Sequence, residues 1–157
     1  MILPADSDDF AALRAGKTPA GVVDMPASPV AEPAVLDMLG ALAATISGEF
    51  TPPAWLIVEH GRLVGLCSLV KLPAGREATI GYGIAADCRG GGAATRAVGA
   101  LVAWAQADPR LDRLLAETGV DNRASQGVLR RNGFVQDGTR NDEEDGALLC
   151  WRLETRG

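Results

Sequence analysis

Apolar and polar positions change period along the chain, and the changes mark its elements. Across residues 32–47, Val35, Leu36, Leu39, Leu42, Ala43 and Ile46 recur at helical spacing, which predicts an amphipathic helix. Gly48 ends it, and Pro52-Pro53 bars continuation. Before it, residues 9–15 are read as a short helix. Prolines 19, 26, 29 and 33 make the stretch between an irregular connection. The period then shortens. Residues 55–59 and 63–72 read as two strands around a tight His60-Gly61-Arg62 turn, and Pro73-Ala74-Gly75 makes a second turn. Residues 77–84 predict a third strand, with Ile80, Tyr82 and Ile84 on one face and Thr79, Gly81 and Gly83 on the other. Two glycines leave that second face bare, as happens where a ligand or another backbone comes close or where the strand bends.

A helical period returns over residues 92–107, where Val98, Leu101, Val102 and Ala105 form one stripe closed by Asp108-Pro109. Residues 114–120 predict a strand. Residues 122–132 predict a helix, with Asn122 as its N-cap and Gly133-Phe134 as its C-terminal signal. A final strand pair, at 134–135 and 148–153, flanks the acidic stretch Asn141-Asp142-Glu143-Glu144-Asp145-Gly146. The order is α/β with a meander rather than strict βαβ alternation. No repeat or internal boundary interrupts it, so residues 1–157 are read as one domain.

Composition narrows the partners. The 157 residues are 47% hydrophobic and 22% charged, with a formal net charge of −5. That balance suits a compact core and argues against a nucleic-acid partner, whose affinity comes from phosphate neutralisation. Asp6, Asp8 and Asp9 interrupt any leader-like apolar run, and no stretch approaches the roughly 20 apolar residues of a membrane span, so a cytoplasmic protein without a membrane partner is expected. Cys67, Cys88 and Cys150 are an odd, sparse set, and His60 is the only histidine. Neither a disulfide framework nor a metal site is expected from them.

One segment carries recognisable chemistry. Arg89-Gly90-Gly91-Gly92-Ala93-Ala94 lies between a strand and a helix start. Glycines there admit positive φ and let backbone approach a ligand. The helix behind presents unpaired N–H groups and the positive end of its dipole, an anion site suited to a pyrophosphate. A Gly-Lys-Ser/Thr ending is missing, and the spacing is not Gly-x-Gly-x-x-Gly, which excludes the two common nucleotide loops.

Two motifs in order resemble the GCN5-related N-acetyltransferase (GNAT) family. Ile80-Gly81-Tyr82-Gly83-Ile84 precedes Arg89, Gly92 and Ala94, which meet the family's Gln/Arg-x-x-Gly-x-Gly/Ala pattern. Ala116-Glu117-Thr118 then closes a strand before Asn122-Arg123-Ala124-Ser125, Val128-Leu129 and Asn132-Gly133-Phe134. This second run is similar to the subgroup of ribosomal-protein N-terminal acetyltransferases. The resemblance covers about residues 55–151. It implies a mixed, mostly antiparallel sheet with helices on both faces, splayed between the fourth and fifth strands. It also implies acetyl-CoA as cosubstrate, with no metal. Gly90, Gly91, Gly92, Ala93 and Ala94 would cradle the pyrophosphate, with Arg89, Thr95 and Arg131 beside it. The pantetheine would run along Tyr82, Gly83 and Ile84, with Asn122 and Ser125 as further ligands and an N–H near Ile84 polarising the thioester. Arg96 and Arg130 are weaker phosphate candidates.

Acyl transfer to an amine needs a base and a donor for the departing thiolate. Glu117 is the first base candidate, acting through water, and Glu77 the second. Relatives in the family carry a carboxylate where this chain has Thr79. Ser125 is a candidate donor; Tyr82 could donate, but its alternation points to the core face. Cys88 is read as incidental. The acidic stretch at 142–145 would attract a cationic acceptor. The acceptor expected is an amine-bearing small molecule or a peptide N-terminus, and a homodimer is left open. Two alternatives stand beside the enzyme: an acyl-CoA-binding domain without turnover, and an interaction module whose glycine loop binds nothing.

Overall fold

A computed structural model describes residues 1–156 of the chain. The elements, in order, are β1 (Ile2–Ala5), α1 (Ser7–Arg14), α2 (Pro33–Ser47), β2 (Ala54–Glu59), β3 (Arg62–Leu69), β4 (Glu77–Ile84), α3 (Ala93–Ala107), β5 (Arg113–Gly119), α4 (Arg123–Arg131), β6 (Val135–Asp142) and β7 (Gly146–Glu154). A 3-10 turn, Ala86–Cys88, leads from β4 towards the glycine run. The strands make a seven-stranded sheet in the order β1-β2-β3-β4-β5-β7-β6. Every pair is antiparallel except β4 with β5.

Each face of the sheet is covered. On one, Phe10 and Leu13 of α1 and Leu36 and Ala43 of α2 pack on Leu56, Val58, Leu63 and Leu66. On the other, Val98, Leu101 and Ala105 of α3 and Leu129 of α4 pack on Trp55, Ile80, Leu114 and Trp151. Strand alternation divides the layers: Trp55 and Leu56 are neighbours in sequence and lie in opposite cores. Because both faces are buried, residues 54–58 read as an unbroken apolar run.

The structure departs from expectation where local chemistry outweighs apolar pattern. Helix α1 starts two residues early because Asp6 caps it: its carboxylate accepts from the N–H of Asp8 at 2.9 Å and of Asp9 at 3.2 Å, and Asp9 accepts from the N–H of Asp6 at 2.9 Å. Strand β1, unforeseen, is short and holds Pro4, which an edge strand tolerates because its outer side needs no donor. Strand β3 stops at Leu69, not residue 72; the Val70 N–H makes one more bond, to the Thr79 carbonyl at 2.9 Å, before Gly75 and Arg76 turn at positive φ. Strand β6 runs to Asp142, well past the expected 134–135. Its residues are almost all exposed, so no alternation announces it, and backbone pairing with β7 defines it.

The feature that places the site is an interruption. Strands β4 and β5 pair in parallel from Glu77↔Arg113 to Ile80↔Ala116 and no further. Their C-terminal halves diverge, with the glycine loop following one and α4 following the other.

Candidate active site

At the mouth of the splay the glycine loop turns into α3. Gly90 and Gly92 adopt φ of +86° and +82°, and Gly92 is the N-cap with no side chain to satisfy the helix end. The Arg96 amide is the first of α3 to reach a backbone carbonyl, that of Gly92 at 3.1 Å. The amides of Ala93, Ala94 and Thr95 therefore point out of the helix, where an anion would take them.

The edge of β4 continues this donor array. The Val70–Thr79 and Ala85–Val64 bonds show which β4 residues bond to β3. By alternation, Tyr82 and Ile84, opposite Cys67 and Gly65, turn their backbone groups to the other edge, where β5 has already left. Arg89 Nε takes the Ile84 carbonyl at 3.1 Å. The Ile84 N–H remains directed into the splay, beside Gly83, where a Cβ would meet nothing within 4 Å. An extended amide-bearing chain fits this edge as an added strand would.

Two cavities meet across the splay. The first, of about 640 Å³, is lined by the loop, Tyr82, Gly83, Ile84, the first turn of α4, and Arg131. The second, of about 400 Å³, is lined by Ile80, Gly81, Glu117, Thr118, Gly119, Asp145 and Leu148. Tyr82, Asn122 and Ser125 line both. The Tyr82 and Ser125 hydroxyls are 2.7 Å apart. Burial pushes the Tyr82 phenol above its ordinary value, partly countered by its Ser125 bond, so the group is protonated at neutral pH. Ser125 is held by its own amide, which donates to Asn122 Oδ1 at 3.1 Å. Gln126, buried next to it, donates to the carbonyls of Gly119 and Val120 at 3.1 and 3.0 Å and fixes the first turn of α4 to the end of β5.

The predicted residues separate on these distances. All the cofactor candidates except Gly91 line the first cavity: Tyr82, Gly83, Ile84, Arg89, Gly90, Gly92, Ala93, Ala94, Thr95, Asn122, Ser125 and Arg131. Of the remaining arginines, Arg96 is forked onto Glu59 at 2.6 and 2.8 Å, and Arg130 lies 5.0 Å over the Trp151 ring. Cys88 lines the first cavity too. Glu117 lies on the wall of the second, but Arg140 holds it through Nε at 2.6 Å and Nη2 at 2.9 Å, with Cys150 Sγ at 3.8 Å. That fork keeps the Glu117 carboxyl below its usual range. Asp145 also lines this second cavity, so the acidic turn does reach it.

Glu77 is not brought here. It opens β4, at the end of the strand about 23 Å from Ile84, and is ion-paired with Arg113, which also holds Glu154 at 2.8 Å. Tyr82 is more than the core residue its alternation suggested, since its hydroxyl reaches α4 at the junction of the cavities. No apolar pattern in β6 signals that Arg140 reaches across β7 to Glu117 of β5. Among the described residues no group of three or more His, Cys, Asp or Glu could hold a metal ion, and no helix is long and apolar enough to cross a membrane.

A twisted sheet splayed after one parallel pair, with an amide-lined loop at its mouth, is the GNAT architecture. The chain belongs to that family: the acetyltransferase (GNAT) domain model matches residues 1–135. It is 36% identical over 87 residues to the Bacillus subtilis (strain 168) protein named "Putative ribosomal N-acetyltransferase YdaF", covering 55% of this chain and 48% of that one. The match thus spans about half the length of that relative. Solved structures of similar fold include Mycobacterium smegmatis RimJ in complex with CoA-disulfide (22% identity, 98% of this chain and 80% of that one, TM-score 0.70). RimL, a ribosomal L7/L12 alpha-N-protein acetyltransferase in complex with coenzyme A, aligns at 19% identity over 98% and 92% with a TM-score of 0.73. A chimera of the Vibrio cholerae spermidine N-acetyltransferase SpeG and hSSAT aligns at 16% identity over 99% and 95% with a TM-score of 0.71.

Proposed function

We propose that this protein is an acetyl-CoA-dependent N-acetyltransferase that moves the acetyl group directly to a primary amine. One observation carries the proposal: a donor cavity floored by free amides and an acceptor cavity walled by carboxylates meet at Tyr82, Asn122 and Ser125. In this proposal the amides of Gly90 to Thr95 and the Arg131 guanidinium bind the phosphates. The β4 edge orients the thioester, and the Ile84 N–H stabilises charge on its oxygen. Asn122 holds the pantetheine as well as capping α4. Glu117 accepts the amine proton through water, and the Tyr82–Ser125 hydroxyl pair returns a proton to the thiolate. The nitrogen–carbon bond forms as the carbon–sulfur bond breaks, with CoA-SH as the second product. Glu77 takes no part.

The acceptor side suits a cation. Its lining combines the carboxylates of Glu117 and Asp145 with the apolar side chains of Ile80 and Leu148. RimL is described as a ribosomal L7/L12 alpha-N-protein acetyltransferase and SpeG as a spermidine N-acetyltransferase, and AAC(6')-Ib, of similar fold at TM-score 0.69, was solved with ribostamycin and coenzyme A. A second reading, acyl-CoA binding without turnover, draws on the locked Glu117 and on Thr79, which leaves Glu117 and Asp145 as the acids of that cavity.

Calorimetry with acetyl-CoA, followed by free-thiol release against peptide N-termini, spermidine and an aminoglycoside, tests both. Binding with acceptor-dependent thiol release is expected. Binding without release from any amine favours the second reading, and no binding at hundreds of micromolar removes both.

A further inference from the structure

The loop that would cradle the pyrophosphate is unpacked around its first two glycines. A Cβ built on Gly90 or Gly91 would meet no atom within 4 Å. Such a segment keeps its shape only if its ends are held. The far end continues into α3, where Arg96 grips Glu59. At the near end, Arg89 Nε donates to the Ile84 carbonyl. A second anchor stands just ahead of it. Asp87 turns its carboxylate onto the connection between α1 and α2, accepting from the N–H of Ala27 at 3.0 Å, the N–H of Ser28 at 3.1 Å and the Ser28 hydroxyl. The Asp87 N–H in turn donates to Ser28 Oγ at 3.0 Å, closing a reciprocal ring between residues 59 apart in sequence.

We propose that Ser28 and Asp87 form a latch that preorganises the donor loop, each acting as a positioning residue for CoA binding. The proposal rests on the reading of residues 89–94 as the CoA cradle. Two physical effects give the latch its purpose. Glycine is the residue with the most conformational freedom to lose, so a loop ordered beforehand loses less on binding. An aspartate near a pyrophosphate site would also repel it; with three donors of the connection gathered on the carboxylate, beside the Cys88 thiol at 3.8 Å, the charge is satisfied on the side of the connection. The Ser28 hydrogen bond, with the Ala27 and Ser28 amides, holds the Asp87 carboxyl down to about 2. The latch is therefore closed across the neutral range and is not a pH switch.

The test is calorimetric titration of CoA into the full chain, its S28A and D87N variants, and S28T, which keeps the hydroxyl. Affinity is expected to fall about tenfold in S28A and D87N and to stay within about twofold in S28T. Backbone 15N relaxation should show lower order at Gly90, Gly91 and Gly92 in S28A, with the sheet unchanged. Wild-type affinity in S28A and D87N overturns the latch, even if their thermal midpoints drop, because the ring is then only a structural strut. If the wild-type chain binds no CoA, the cradle fails and the latch with it. If it binds and the variants match it, the latch alone fails.

Discussion

Tyr82 and Glu117 stand on opposite sides of the splay with opposite electrostatic histories. Tyr82 is half-buried and its hydroxyl meets Ser125; desolvation favours its neutral form, a proton donor at neutral pH. Replacing Tyr82 with Phe removes the donor and keeps the ring. The turnover rate should fall about a hundredfold, while the calorimetric CoA affinity stays near that of the wild type. A rate within a factor of two would transfer the donor role to Ser125 alone. Glu117 is exposed but forked by Arg140, with Lys71 adding a weaker attraction and Cys150 a hydrogen bond. Its carboxyl is depressed, so it is already ionised well below neutrality. The stability its ion pair adds is present above the ordinary carboxylate value and is lost as pH falls through the depressed one. In Arg140→Gln the Glu117 titration moves up, and the acid limb of kcat should move up with it. The difference in thermal midpoint between variant and wild type should shrink as the pH drops below about 4. An unmoved acid limb would show that Glu117 protonation does not control the rate.

Element ends govern the site more than element interiors. Helix α3 begins without a side-chain cap, so its first amides are left for a ligand such as the proposed pyrophosphate to take. Helix α4 is the reverse case, sealed at both ends. Asn122 caps its start. At its finish Gly133, at φ +87°, donates to the Arg130 carbonyl and Phe134 donates to that of Leu129, each at 3.0 Å. Gly133→Ala would meet only Leu153 Cδ1 at 3.5 Å, so space is not the obstacle; the backbone conformation is. A loss of about 1 kcal/mol with an unchanged denaturant slope is expected in urea titration. A variant as stable as the wild type would mean that the cap relaxes without strain. Both ends of α4 were legible in the sequence, because Asn at an N-cap and Gly-Phe after the last turn are local chemistry. The start of α1 was not, because its box is built from Asp6 and Asp9 rather than the usual Ser/Thr and Glu pair.

At the scale of the molecule, two apolar layers hold a sheet whose middle is left partly unzipped. Ile80 and Ala116 are the last β4–β5 partners; beyond them each strand is kept in place by its outer neighbour, β4 by β3 and β5 by β7. Trp151 reinforces the second pairing by donating from Nε1 to Thr118 Oγ1 at 2.9 Å. The opening therefore persists without β4–β5 bonds, and both cavities exploit it. Apolar periodicity, the glycine run and the cap residues are properties of a few consecutive positions, so the sequence by itself determined the bodies of the helices, the inner strands, the glycine loop before α3 and, through two motifs in order, the family. What only the tertiary structure decided are the meetings of residues far apart in the chain: Tyr82 with Ser125, Glu117 with Arg140 and Ser28 with Asp87, and the placing of Glu77 at the wrong end of its strand. Those depend on sheet order, on register and on the exposed strand β6, where no buried face imposes a pattern that the sequence would have to carry.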